Sequence, residues 1–202
     1  MLHSLSKNIA DFLLSKKCFD EDSKCVYVYG TELILSSLIG ILTILILSIV
    51  FNCFAKGLLF YLSFYTLRSY AGGLHCNTHL KCNLTFIAVF IICIFSDKFL
   101  QAFKYSTIVI VSMIIVSAVI IAFFAPIENI HKPIDKNQRK KFKLISLGIY
   151  TLHIALYFVL NFVFNLGAEM IIITDFLVAI SMIIGMFSNA RRCNNESCKD
   201  CS

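Results

Sequence analysis

Residues 31 to 54 read TELILSSLIGILTILILSIVFNCF, and this stretch decides the class of fold. No charged residue occurs from Leu33 to Phe54. A helix of about 20 apolar residues is long enough to cross the roughly 30 Å hydrocarbon core of a bilayer. The stretch therefore predicts a transmembrane helix.

Similar segments follow along the chain. Three more are long enough to span or nearly so: Thr107 to Ile127, Leu144 to Leu166 and Met170 to Phe187. Two shorter apolar segments run from Gly57 to Leu67 and from Leu84 to Phe95. Their length favours tilted, partly buried helices or a re-entrant hairpin. We expect an all-α, polytopic transmembrane bundle with about six membrane segments.

Composition agrees with this class. Of 202 residues, 58% are apolar and 15% are charged, whereas soluble domains carry about 25% charged residues. The net charge of +6 would suggest nucleic acid in a soluble protein. Here the basic residues lie between apolar segments, where they fix topology and contact anionic lipid heads. We therefore expect a bilayer and no nucleic acid as partner.

The basic residues also predict an orientation. With six spans and the N-terminus inside, the inner side holds fifteen of the eighteen basic residues, and only Lys56, Lys98 and Lys104 lie outside. If the two short segments only dip in, the count becomes thirteen against five. Because cytoplasmic loops are rich in Lys and Arg, we expect a multi-pass membrane protein with both termini and the segment from Arg68 to Cys82 at the cytoplasmic side.

The ends of the chain differ from the apolar segments. Residues 1 to 17 predict an amphipathic surface helix, although an ordinary packed helix fits as well. Residues 188 to 202 carry Cys193, Cys198 and Cys201; they predict a flexible tail, and a metal site is the alternative. We expect residues 1 to 187 to form one transmembrane domain, with no cleaved signal peptide.

The one segment rich in chemistry, residues 68 to 82, reads RSYAGGLHCNTHLKC. Cysteine attacks as its thiolate, so a catalytic thiol needs a base such as imidazole to take its proton. His75 and Cys82 are seven residues apart, which places both side chains within about 20° on one face if this stretch is helical. The spacing permits a Cys/His pair without demonstrating one.

Neighbouring residues admit two interpretations each. Gly72 and Gly73 break the helix; their backbone either admits a peptide and steadies an oxyanion or forms a simple turn. Arg68 either holds a substrate carboxylate or marks the membrane boundary. Cys76 adjoins His75 but projects about 100° away on a helix, and so is a poorer partner than Cys82.

A rival chemistry uses the same segment. His79 shares a helical face with His75 and Cys82, and these three side chains could bind zinc in a non-enzymatic transporter or metal-binding protein. Outside this segment, a buried interhelical hydrogen bond is the favoured reading of His153. Asp175 is a possible functional residue because intramembrane acids are costly.

The stretch from Glu128 to Lys143 is predicted to be the main basic loop. It either fixes the topology or docks an acidic peptide or lipid. Its basic residues are Lys132, Lys136, Arg139, Lys140, Lys141 and Lys143.

Taken together, Arg68, Gly72-Gly73, His75 and Cys82 resemble the signature of the AgrB-like (accessory gene regulator protein B) membrane endopeptidases of Gram-positive bacteria. A second stretch, Ala125-Pro126-Ile127-Glu128-Asn129 followed by Lys132-Pro133-Ile134, is similar to the segment after that family's fourth span. Chain length and six-segment hydropathy match as well, so the resemblance covers nearly the whole chain.

The resemblance implies a quorum-sensing cysteine endopeptidase without metal or cofactor. Its substrate would be a short AgrD-like propeptide with an amphipathic N-terminal helix and an acidic tail. Cys82 would attack the bond before the tail while His75 acts as general base, and a substrate cysteine or serine would close a thiolactone or lactone ring. The family also implies a homodimer, and an acidic tail suits the basic residues Lys132, Arg139, Lys140 and Lys141.

Overall fold

The computed structural model describes residues 2–15, 24–73, 79–102, 106–127, 135–164 and 166–197. Within these ranges the chain is all helix and turn, without a strand, which confirms the all-α prediction. The helices are α1 (Leu2–Ser15), α2 (Lys24–Val50), α3 (Phe54–Ala71), α4 (His79–Ala102), α5 (Ser106–Phe124), α6 (Lys136–Phe162) and α7 (Glu169–Ser197).

Five of these helices, α2 and α4 to α7, are long and apolar enough to cross a membrane, as expected of a multi-pass protein. The two short apolar segments lie inside longer helices, α3 and α4. α4 continues through Asp97 and Lys98, beyond the predicted end of the apolar segment at Phe95. α3 has 18 residues, and such a helix is about 27 Å long, close to the thickness of the hydrocarbon core.

Helix α7 forms the centre of the bundle. It packs against α3, α4, α5 and α6, and its residues from Met170 to Asp175 are all buried. It continues to Ser197, past the expected end of the last membrane segment at Phe187. The apolar core around this helix holds α3 and α4 in place, and these two helices carry the residues of the candidate site.

A close contact joins α2 to α3 beyond the turn at residues 51 to 53. A Cβ atom on Gly57 would lie 1.8 Å from Ser48 Oγ and 2.6 Å from Ser48 Cβ. Ser48 Oγ also donates a hydrogen bond of 2.6 Å to the Ile44 carbonyl of its own helix. Only glycine therefore allows the two helices to approach this closely.

Buried polar side chains connect α3, α6 and α7. His153 Nδ1 lies 2.9 Å from Asp175 Oδ1, and His153 Nε2 lies 3.1 Å from Thr66 Oγ1. Thr66 Oγ1 itself donates to the Leu62 carbonyl at 2.6 Å. The interhelical hydrogen bond predicted for His153 is thus confirmed.

The terminal helix α1 packs on α2, and its small residues Ser6 and Ala10 are fully buried. Leu5 and Phe12 remain exposed, and whether this helix lies on a membrane surface stays a prediction. The predicted basic loop from Glu128 to Lys143 was wrong over its second half. Residues 136 to 143 belong to α6 and not to a loop, because the basic residues there extend the apolar helix that follows.

Candidate active site

A cavity of about 750 Å³ opens at the end of α3. Four helices and the segment after α5 contribute to its wall. Its polar and charged lining includes Ser36, Ser37, Arg68, Ser69, Asn83 and Gln138, and its apolar lining includes Leu33, Phe64, Phe86, Ile127 and Phe142. A volume in this range suits a ligand of several residues or a drug-sized molecule.

Two glycines end α3 beside this cavity. Gly72 has φ +81°, and a Cβ atom there would lie 2.7 Å from the Ile127 carbonyl oxygen. The backbone N–H of Ile127 donates to the Ala71 carbonyl at 3.0 Å. Gly73 has φ +153°, and a Cβ atom on it would lie 3.0 Å from both Arg68 Nη1 and Ser181 Oγ. Both positions therefore require glycine.

Arg68 lies in the last turn of α3, where its side chain is half-buried and lines the cavity. Its Nη1 donates to Ser181 Oγ at 3.4 Å, and its guanidinium carbon lies 5.3 Å from the centroid of the Phe64 ring. A guanidinium held over an aromatic face keeps N–H donors in a fixed plane. This arrangement can present a cation to an anion or carbonyl that enters the cavity.

Cys82 is an exposed cysteine in the first turn of α4. The first turn of a helix is a place where a thiolate is stabilised. The next residue, Asn83, lines the cavity; its Nδ2 donates to the Ser36 carbonyl at 3.4 Å, and its Oδ1 accepts from Ser36 Oγ at 3.4 Å. This pair fixes the beginning of α4 against α2.

The structure describes only some of the other predicted site residues. His75, Cys76 and Lys132 lie outside the described residues, as does the side chain of His79. That His75 and Cys82 lie on one face of a helix therefore stays a prediction. Arg139, Lys140 and Lys141 are exposed in the first turns of α6, between Gln138 and Phe142, which both line the cavity.

The zinc alternative also stays untested. The described part of the chain holds no group of three or more His, Cys, Asp or Glu side chains arranged to bind a metal ion. Two of the three ligands that this alternative needs, His75 and His79, have no described side chain.

Sequence reasoning missed two polar contacts of α4. Asp97 pairs with Lys56 across α3 and α4, and Asn83 pairs with Ser36 across α2 and α4. The sequence does contain a signal for the contact between Asp97 and Lys56, because an acid so close to an apolar segment is costly without a partner. The predicted apolar segment ends at Phe95, which leaves Asp97 outside it.

Comparisons with known proteins point to one family. The model of the family described as Accessory gene regulator B matches residues 6–189. A putative AgrB-like protein of Clostridium perfringens strain SM101 is 31% identical over 193 residues, which cover 92% of this chain and 88% of that protein. Putative AgrB-like protein 2 of C. perfringens strain 13 is 33% identical over 160 residues, 76% of this chain and 74% of that protein.

A more distant match is the accessory gene regulator protein B of Staphylococcus epidermidis. It is 31% identical over 104 residues, which are 52% of each chain. No solved structure matches the chain.

Proposed function

Because the chain belongs to the accessory gene regulator B family, we propose that it processes a short quorum-sensing propeptide as a membrane cysteine endopeptidase. The substrate is an AgrD-like peptide with an amphipathic N-terminal helix, an internal cysteine or serine, and an acidic C-terminal tail. The enzyme removes the tail and promotes closure of a thiolactone or lactone ring.

The reaction uses Cys82 as nucleophile and His75 as general base. His75 takes the thiol proton, and the thiolate attacks the carbonyl carbon that precedes the tail. The C–N bond breaks, the tail leaves as an amine with the proton from His75, and a thioester to Cys82 remains. The substrate thiol or hydroxyl then attacks the thioester carbonyl, and Cys82 leaves with a proton returned through His75.

The observation that carries this proposal is the cavity lined by Arg68, Gly72 and Asn83, the residue that follows Cys82. Arg68 offers fixed N–H donors to the substrate, and the glycine backbone allows a peptide to approach closely. The membrane-embedded apolar walls limit access of water, which favours attack by the substrate thiol over hydrolysis of the thioester.

The basic residues of α6 support the choice of an acidic tail. Arg139, Lys140 and Lys141 lie within one helical turn of Gln138 and Phe142, which line the cavity. Lys132 would add to this charge. Positive charge at the mouth of a cavity attracts an acidic segment and raises its local concentration. The tail would thus be held beside the bond that is cut.

We further propose that the cavity opens at the cytoplasmic face and that the protein acts as a homodimer in the bilayer. The excess of basic residues at the end that carries α1, Arg68 and the beginning of α6 supports this orientation. Labelling of single cysteines from each side of intact cells measures the orientation directly.

The mechanism is tested in membranes that contain the protein and a propeptide with the features named above. Cys82→Ala and His75→Ala are expected to abolish release of the tail, while protein levels stay unchanged. Cys76→Ala is the matched control, since it removes the neighbouring thiol of the same segment and should retain substantial activity.

Mass spectrometry of the trapped enzyme adds a positive signal. With a substrate whose internal cysteine is replaced by alanine, the acylated fragment should accumulate on Cys82. Complete processing by Cys82→Ala would refute the proposed chemistry, and so would chelator-sensitive activity that depends on His79.

A further inference from the structure

A second cavity, of about 320 Å³, lies at the other end of α3, beneath the turn between α2 and α3. Its walls come from that turn, the beginning of α3, the last turns of α4 and the beginning of α7. Its polar lining consists of Asn52, Cys53, Lys56, Asp97, Lys98 and Gln101, and its apolar lining includes Phe51, Phe54, Ile94 and Met170.

Asp97 has an unequal set of hydrogen bonds in this cavity. Its Oδ2 accepts from Lys56 Nζ at 2.5 Å and from Gln101 Nε2 at 3.1 Å. Its Oδ1 is buried and has no hydrogen-bond partner among the described residues. The side chain is only 2% exposed, so water reaches it poorly. A buried acceptor without a donor is costly, and a ligand that brings an N–H or O–H would remove that cost.

The surrounding charges add a second requirement. Lys98 is exposed at the cavity, and the side chain of Lys56 is 28% exposed. Two lysines against one aspartate leave a net positive charge, which favours an anionic group at the mouth. The ligand should therefore combine a hydrogen-bond donor with an anion a few ångströms away.

The apolar walls identify the chemical class. Phe51, Phe54 and Ile94 line the cavity beside the polar groups, at the end of the span where a helix meets the head-group region. Apolar chains continuing from a polar head would contact these residues. The volume lies at the small end of ligand pockets, which suits a head group better than a folded peptide of several residues.

We propose that this cavity binds the head group of a phospholipid that carries a hydrogen-bond donor, either an ammonium or a hydroxyl. The donor contacts Asp97 Oδ1, and the phosphate contacts Lys98. The site is separate from the proposed peptidase reaction, and neither proposal depends on the other.

The first experiment compares lipids in native mass spectrometry of the full-length protein. Phosphatidylethanolamine offers an ammonium N–H, phosphatidylglycerol offers hydroxyls, and phosphatidylcholine has the same phosphate but no donor. One bound molecule of either donor lipid should be retained about tenfold more strongly than phosphatidylcholine, the usual size of one hydrogen bond to a charged group. The two donor lipids, compared with each other, show which source is preferred. Equal retention of all three lipids would overturn the proposal.

Variants locate the binding in this cavity. Lys98→Gln, at an exposed position, should weaken both donor lipids without impairing folding. Asp97→Asn should abolish the preference over phosphatidylcholine. Lys7→Gln in α1 is the control, because it removes one exposed basic residue far along the chain from the cavity. If Asp97→Asn leaves the lipid preference unchanged, or Lys98→Gln leaves the retention of the donor lipids unchanged, the site is not here.

Cys53 supplies a readout in the cavity itself. Burial raises the pKa of its thiol, against the opposing effect of Lys56 and Lys98, so maleimide labelling is best followed at alkaline pH. In a variant that keeps only Cys53 of the nine cysteines, donor lipids should slow labelling and phosphatidylcholine should not. Protection by the cyclic peptide product but by none of the lipids would replace the lipid with a peptide and so refute the proposal.

Discussion

The two ends of α3 differ in how they hold a positive charge. At one end Arg68 is stacked on Phe64 beside an open cavity of about 750 Å³. At the other end Lys56 is paired with the buried carboxylate of Asp97 in a cavity of about 320 Å³. Neutralising Lys56 should therefore lower the stability of the fold, whereas altering Arg68 should change which ligands the larger cavity binds.

Both ends also depend on glycine, for different reasons. Gly57 allows α2 and α3 to touch, because Ser48 occupies the space of a Cβ atom. Gly72 turns the chain at positive φ against the Ile127 carbonyl. The first glycine serves helix packing, and the second shapes the candidate active site. Substitutions at the two ends should therefore separate stability from activity.

The largest effect is expected at the ion pair. Lys56→Met leaves Asp97 buried without its cation, and breaking such a pair typically costs about 3–5 kcal/mol. Thermal denaturation in detergent should show a marked loss of stability. The double variant with Asp97→Leu should recover most of it, and a double variant as unstable as Lys56→Met would show that the pair is not the cause.

A smaller loss of stability is expected from Gly57→Ala, since inserting a methyl group into a packed contact typically costs about 1–3 kcal/mol. Combining it with Ser48→Gly frees the space and should restore the melting temperature. Gly72→Ala serves as the comparison at the other end: its Cβ atom would meet the Ile127 carbonyl, so it should lower the melting temperature too, but tail cleavage should fall further in Gly72→Ala than in Gly57→Ala. A larger loss of cleavage in Gly57→Ala than in Gly72→Ala would contradict the assignment of Gly57 to helix packing and of Gly72 to the candidate active site.

Arg68→Lys keeps the charge but removes the planar fork and weakens the contact with Phe64. We expect kcat/KM for cleavage to fall about tenfold, which is the effect of roughly one charge-assisted hydrogen bond, with an unchanged melting temperature. Cleavage as fast as in the wild type would mean that Arg68 only marks the membrane boundary.

The smallest effect is expected from Lys140→Gln combined with Lys141→Gln. Exposed charges contribute about 0.2–1 kcal/mol each, so KM should rise a few-fold and depend less on salt concentration. Lys7→Gln, on the α1 helix that packs against the N-terminal part of α2, should change neither quantity. Equal effects of both changes would reflect net charge and not a specific docking surface.

Sequence alone predicted the membrane class and the helices, because apolar length is a local property. It also pointed to Arg68 and Gly72, which line one cavity, and to Gly73, where a Cβ atom would meet Arg68. It could not pair Asp97 with Lys56 or Asn83 with Ser36, because those contacts depend on how separate helices pack. The expected basic loop became the beginning of α6, since helical residues with charged side chains resemble loop residues in a hydropathy pattern.

The hydrogen bonds of Thr66 in α3 fix the number of protons that the buried His153 and Asp175 share. A hydroxyl has one proton, and Thr66 donates its proton to the Leu62 carbonyl, so His153 Nε2 must donate to Thr66 and carries a proton. The contact between His153 Nδ1 and Asp175 needs a second proton, held by either partner. An infrared difference spectrum of Asp175→Asn would identify which partner holds it. In both cases the imidazole and carboxyl together have no net charge, so α3, α6 and α7 are joined inside the bilayer by an electrically neutral unit.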